Sequence, residues 1–109
     1  MKKFLILPLL FLSSISSYCQ VEVKYFNAGW NAANEIEWVD KLTDCDIEKY
    51  DIGADPKKAQ EFKVVVVPTI IIFQDGEEVE RYQADISFKM SATREELQDY
   101  IDEIIMSAF

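Results

Sequence analysis

The most informative stretch of the sequence is Val67-Pro68-Thr69-Ile70-Ile71-Ile72-Phe73-Gln74-Asp75-Gly76-Glu77. Its β-branched and aromatic residues are typical of a buried strand, and a proline inside such a run is unusual because proline cannot donate to a strand ladder. Asp75-Gly76 is a two-residue turn of the kind that matches the twist of the strands in a hairpin. The pattern predicts a strand over 64–74, interrupted by Pro68, and a second strand that starts near Glu78.

The N-terminal half of the sequence predicts a strand, a helix and another strand. Alternating β-branched and aromatic residues predict strands over 21–26 and 47–52. Between them, apolar residues at helical spacing predict a helix over 31–42, with Asn31 as its N-cap. A strand-helix-strand order implies a parallel pair with a right-handed crossover.

Two further helices are predicted in the C-terminal half. Asp55-Pro56 is typical of a helix start, because aspartate caps the helix and proline favours its first position, and this helix should run to about Phe62. Thr93 and Glu96 form a capping box that begins the final helix. The resulting order is βαβαββα, an α/β fold in which helices cover both faces of a four-stranded mixed sheet.

Residues 1–19 have the layout of a secretory signal peptide: two lysines, a short apolar run and a small polar stretch. Cleavage before Gln20 would leave one domain, residues 20–109, exported to the periplasm or out of the cell. Lipid attachment to Cys19 is the alternative. It is less favoured because Tyr18 is bulky where lipidation signals prefer a small residue.

Composition excludes several classes of function. The 109 residues include 11 basic and 20 acidic residues, a formal net charge of −9, which argues against nucleic acid or an anionic membrane surface as a partner. The sequence has no histidine, so His-based triads and imidazole metal sites are excluded. Its two cysteines are too few for a four-cysteine zinc site. We predict neither a metal site nor a cofactor.

Two blocks of the sequence resemble the thioredoxin family. The stretch Val67–Glu77 is similar to that family's cis-proline strand and hairpin. Tyr25-Phe26-Asn27-Ala28-Gly29-Trp30 is similar to the strand and tryptophan that lead into its active site. The resemblance covers residues 21–106 and implies a minimal thioredoxin-like fold with Pro68 in the cis form.

The sequence departs from the redox members of that family where their chemistry lies. Those members carry Cys-x-x-Cys after the tryptophan, and this chain carries Asn31-Ala32-Ala33-Asn34, which has no thiol to form a disulfide. Tyr25 stands where they keep a buried carboxylate, and Ala84 about where they keep a glycine. Lys49 matches a lysine of the family's second strand, although a surface lysine is the simpler interpretation. We therefore predict a redox-inactive protein without catalytic residues.

The leading functional hypothesis is a non-catalytic module that binds an extended peptide or a protein segment. Its groove would consist of the former active-site positions Trp30, Asn31, Ala32, Ala33, Asn34, Val67 and Pro68. The backbone at Val67 would pair with the peptide as an added strand. Two alternatives stay open: the asparagines serve only as helix cap and turn, and Pro68 serves only to set the turn.

Two other functions are open from the sequence. The first is a thioredoxin-type oxidoreductase that works through Cys45, a free thiol once Cys19 is removed. Flanking carboxylates would raise its pKa, and a small buried residue or a thiol that pairs between molecules are other interpretations. The second is a homodimer, or a partner site, at an apolar edge formed by Ile86, Phe88 and Met90. These residues either extend the fourth strand, form a loop toward Trp30, or cover the last helix.

Overall fold

The computed structural model describes residues 20–108. The predicted signal peptide, its cleavage and the lipid-attachment alternative at Cys19 lie at or beyond the edge of this range and stay predictions. Within residues 20–108, no helix combines the length and the apolar composition needed to cross a membrane.

A four-stranded mixed sheet forms the centre of the molecule, as predicted. The strands are β1 (Val21–Asn27), β2 (Asp46–Asp51), β3 (Thr69–Gln74) and β4 (Glu77–Gln83). Their spatial order is β2-β1-β3-β4, with β1 parallel to β2 and antiparallel to β3, and β3 antiparallel to β4. Val23 lies opposite Ile47 on one side and Ile72 on the other, so β1 is a central strand.

The β3–β4 hairpin turns at Asp75 and Gly76, as predicted, and both have positive φ angles of 52° and 89°. The Val67–Pro68 peptide bond is cis. The strand before the hairpin begins at Thr69, not at residue 64. Proline has no N–H to donate, so the ladder of β3 starts only after it.

The prediction of a helix over residues 31–42 is wrong. Residues 31–42 form parts of two 3₁₀ segments, a first segment at Gly29–Asn34 and a second segment at Glu37–Lys41. Between them Glu35 and Ile36 are extended, with ψ angles of 137° and 100°.

Asn31 is not an N-cap either, because Ala28 precedes the first segment and Asn31 lies inside it with φ −111° and ψ 27°. The amide of Asn34 donates to the side-chain oxygen of Asn31 at 2.9 Å. Asparagine and β-branched residues have low helix propensity, and side-chain hydrogen bonds of this kind compete with the helical backbone. The apolar spacing predicted a helix that these polar contacts interrupt.

The other two helices form where predicted, although the Asp55 side chain makes no capping hydrogen bond. Helix α1 spans Pro56–Glu61 with proline at its start, and helix α2 spans Arg94–Ser107. The hydroxyl oxygen of Thr93 accepts the N–H of Glu96 at 3.2 Å, which satisfies one of the free donors at the helix start.

Apolar clusters cover both faces of the sheet. The larger cluster joins the sheet to the 3₁₀ segments and α2, and its buried members include Val23, Val39, Ile72, Leu97 and Ile101. The smaller cluster packs the opposite face against α1, with buried Phe26, Val64, Val67, Ile71 and Phe73. The prediction that both faces of the sheet are covered is confirmed.

The predicted apolar edge is not a strand. Strand β4 ends at Gln83, and Ile86, Phe88 and Met90 lie in the loop of residues 84–92, here called the C-terminal loop. Phe88 has a φ angle of 66°, which no regular strand contains. The alternative that these residues form a loop toward Trp30 is therefore correct. Two copies of the chain cannot pair through these residues as strands.

Candidate functional site

Trp30 lies on the surface just beyond the carboxyl end of β1. Its side chain is 67% exposed. Its ring meets that of Phe88 edge to face, with 5.5 Å between the ring centroids. The C-terminal loop therefore reaches the groove residues, and Phe88 is a neighbour that belongs to the candidate site.

Asn31 lies in the middle of a chain of amides. It is only 4% exposed, and its Nδ2 donates to Asn27 Oδ1 at 3.0 Å and, at the long limit of 3.5 Å, to the Val67 carbonyl. Asn27 Nδ2 donates in turn to Glu35 Oε1 at 2.9 Å, and Asn34 donates to Asn31. These amides satisfy one another, as buried polar groups generally must. Asn31 thereby joins the first segment to the residue before Pro68.

Asn27 and Glu35 were missed by the sequence analysis. The signal that points to them is a spacing of four: Asn27, Asn31 and Glu35 follow one another at regular intervals. Such spacing would place all three on one side of a helix. Asn27 instead ends β1 and Glu35 follows the first segment, yet the three side chains still meet.

Tyr25 is buried beneath this amide chain. Its hydroxyl oxygen accepts the N–H of Ile36 at 2.9 Å, which fixes the extended link between the two 3₁₀ segments. Burial raises the pKa of the Tyr25 phenol to about 12, and the nearby Glu35 carboxylate adds to that rise. The phenol stays protonated at neutral pH and cannot take a proton from a thiol.

The remaining groove residues divide between surface and interior. Ala32 and Ala33 are exposed on the first segment, whereas Val67 and Pro68 are buried. The Pro68 carbonyl accepts the N–H of Ala84 at 3.0 Å, which attaches the start of the C-terminal loop to the proline. The surface offered to a ligand here is Trp30, the two alanines and the edge of Phe88.

The C-terminal loop is held by the Asp85 carboxylate. Its Oδ1 accepts from the Ser87 N–H at 2.8 Å, the Ser87 hydroxyl at 2.6 Å and the Lys89 N–H at 3.2 Å. The hydrogen bonds from Ser87 and Lys89 lower the pKa of Asp85. This network presents Phe88 at a positive φ angle, a rare conformation for a large side chain.

Cys45 lies away from the groove. It precedes β2, whose first residue Asp46 pairs with Glu22 at the start of β1, whereas Trp30 follows the end of β1. Six residues of strand separate the two ends, a distance of about 20 Å. Burial raises the pKa of the half-buried Cys45 thiol to about 11, with smaller effects from the Asp46 and Asp44 carboxylates.

Two clefts flank the first segment. A cleft of about 270 Å³ lies between the first segment and β2, and Tyr25, Asn27, Glu35 and Asp51 are among its lining residues. A larger cleft of about 490 Å³ lies between the two 3₁₀ segments and the C-terminal loop. We call it the loop cleft. Within the described residues, no group of three or more Cys, Asp or Glu side chains is arranged to hold a metal ion.

Comparison with curated proteins finds thioredoxins, although no family model matches the chain. The chain is 40% identical over 42 residues to the thioredoxin of Mycobacterium bovis. It is 39% identical over 71 residues to the chloroplast thioredoxin X of Arabidopsis thaliana. These matches take in 38% and 65% of this chain and about a third of each relative, 36% and 35% of their lengths.

Comparison with solved structures agrees. A mutant thioredoxin from Halobacterium salinarum superposes with a TM-score of 0.63 at 26% sequence identity, covering 79% of this chain and 75% of that one. The chain therefore has a thioredoxin-like fold, and parts of its sequence are similar to thioredoxins.

Proposed function

We propose that this chain is an exported, non-catalytic thioredoxin-like module that binds an extended peptide or protein segment beside Trp30. The observation that carries the proposal is the position of Asn31. An amide bonded to Asn27 and Val67 occupies the position after the tryptophan, where redox members of the family keep a thiol. An amide cannot attack a disulfide or carry electrons.

The exposed surface supports binding rather than catalysis. Trp30 and Phe88 keep apolar ring surface in contact with solvent, and a soluble protein has little reason to expose such rings together unless something covers them. Aromatic side chains are also the residues that most often anchor a partner. A bound peptide that lies along Ala32 and Ala33 would reach both rings.

Peptide binding is tested by fluorescence anisotropy with a labelled pool of random, tryptophan-free decapeptides. We expect the purified chain to bind the pool and Trp30→Ala to weaken binding at least tenfold. Met106→Ala is the matched control, because Met106 is also an exposed apolar residue but lies on α2. Equal binding by Trp30→Ala and the parent would remove Trp30 from the site, and no binding by the parent would refute the proposal.

The competing function is a thiol-disulfide oxidoreductase that works through Cys45. The names of the curated relatives favour it, since both are thioredoxins. The position and raised pKa of Cys45 oppose it. If the parent chain reduces a model disulfide protein and Cys45→Ser does not, the oxidoreductase function is established and our proposal is refuted.

Export is tested on the protein recovered from the cell that makes it. We expect the protein in the periplasmic or extracellular fraction, with Gln20 as its N-terminal residue. A lipid-modified Cys19 at the N-terminus would support the lipoprotein alternative, and an intact Met1 in the cytoplasmic fraction would refute export.

A further inference from the structure

The loop cleft exists because two parts of the chain depart from simple secondary structure. One wall is the interrupted first helix, where the extended residues Glu35 and Ile36 separate the two 3₁₀ segments. The other wall is the C-terminal loop, which continues where β4 has ended. A continuous helix would follow a different path along the first wall.

Part of the cleft is lined by large apolar side chains. Trp38 and Met90 are half-buried and pack against the larger core cluster, and Phe88 is 38% exposed. Aromatic and methionine side chains are typical of pockets that accept an apolar group. A volume of about 490 Å³ leaves room for a large side chain together with the backbone that carries it.

The cleft adjoins the groove through a shared residue. Phe88 lines the loop cleft and also meets the ring of Trp30, with 5.5 Å between centroids. Neighbouring residues of an extended peptide rise by about 3.3 Å each. One bound segment can therefore cover Trp30 and place a nearby side chain in the cleft.

The charges at the cleft favour a peptide with a basic residue next to the side chain that enters the cleft. Glu35 and the exposed Glu37 line the wall made by the 3₁₀ segments, and Lys89 lines the loop wall. The Oε1 atom of Glu35 is engaged by Asn27, so Glu37 is the freer carboxylate. The sequence as a whole is acidic, with a net charge of −9, so its field attracts cationic partners.

We propose that the loop cleft is the specificity pocket of the bound peptide, and that it takes a large apolar side chain whose neighbour is Lys or Arg. This inference rests on the proposed peptide binding and adds the chemistry of the partner to it. Phe88, Trp38 and Met90 receive the apolar group, and Glu37 pairs with the basic one.

The test uses four labelled, tryptophan-free decapeptide pools with a fixed central pair: apolar–basic, apolar–acidic, polar–basic and polar–acidic. We expect the apolar–basic pool to bind the chain at least tenfold more tightly than the other three. Equal binding of all four pools would overturn this inference and leave peptide binding intact. If none of the pools binds, both proposals fail.

Two pairs of variants then test the pocket itself. Phe88→Asn removes the ring, and asparagine tolerates the positive φ angle at this position, so the loop should keep its shape. We expect it to remove the preference for an apolar residue. Ile86→Asn is the matched control, because Ile86 is 97% exposed on the same loop.

The second pair reverses a charge. Glu37→Lys should remove the preference for the basic pools, whereas Asp99→Lys on α2 changes the net charge equally and should preserve it. An equal loss in both variants would mean that overall charge, not this pocket, selects the peptide. Retention of both preferences in Phe88→Asn and Glu37→Lys would place the specificity elsewhere.

Discussion

The two ends of the parallel pair β1–β2 differ in surface exposure and in the position of the thiol. At the carboxyl end, Trp30 is exposed and its neighbour Asn31 is buried in a chain of amides. At the amino end, Cys45 packs against the larger core cluster with a raised thiol pKa. Within the described residues, the end with the exposed aromatic surface has no thiol, and the single thiol lies at the other end. On our proposal, a thioredoxin-like scaffold binds a partner at this surface without a thiol beside it.

The largest expected effect comes from placing thiols at the exposed end. We expect Asn31→Cys/Asn34→Cys to reduce a model disulfide protein and the parent chain not to reduce it. The side chains of Asn31 and Asn34 already meet, with 2.9 Å between Asn34 Nδ2 and Asn31 Oδ1, so the two positions face each other.

Cys45→Ser is the control for that measurement, and we expect it to match the inactive parent. If the parent reduces the model protein and Cys45→Ser does not, the amino end of β1–β2, where Cys45 lies, carries the chemistry. An inactive double-cysteine variant that still forms its disulfide would show that the broken first helix no longer activates a thiolate.

The next effect concerns the reactivity of Cys45. With a pKa of about 11 in place of 9.0, the thiolate fraction at pH 8 falls by about 100-fold, so alkylation should be slower than in the unfolded chain, by about tenfold once the higher nucleophilicity of that thiolate is included. The rate should rise by about tenfold per pH unit from pH 7 to pH 9, because the thiolate is the reacting form. The measurement is iodoacetamide labelling followed by mass spectrometry. Fast labelling that levels off below pH 9 would indicate an activated cysteine.

A third effect tests the amide chain as structure. Asn31→Leu keeps the branched shape of the side chain but leaves the buried oxygen of Asn27 without its donor, so we expect a loss of about 2–3 kcal/mol of unfolding free energy. Asn34→Ala, at the half-buried end of the chain, should cost about 1 kcal/mol. Urea denaturation measures both. Equal costs would mean that the chain of amides is not organised around Asn31.

The sequence predicted the elements whose stability is local. The hairpin follows from Asp75-Gly76, and α2 follows from Thr93 and its apolar spacing, because each signal lies within the element that it forms. The mixed sheet follows from the order of these elements. The same local patterns carried the family resemblance. The fold could therefore be predicted from the sequence, whereas the site could not be predicted in full.

The site was less predictable because it depends on contacts between distant residues. The apolar spacing of 31–42 gave no sign that Tyr25 would bind the N–H of Ile36, or that Asn31 would reach Val67. The exposed pairing of Trp30 with Phe88 depends on a loop that no periodic pattern describes. Tertiary contacts here override helix propensity, as they often do for short segments.

The smallest effect is expected where the local signal is strongest. Thr93→Ala removes the side chain that accepts the Glu96 N–H at 3.2 Å, and it should cost about 1 kcal/mol. Peptide binding should not change, since the cap is outside the groove and the loop cleft. Thr43→Ala is a matched control at a position for which no cap is described. A cost at Thr93 as large as that of Asn31→Leu would show that the amide chain stabilises the fold no more than a single helix cap does.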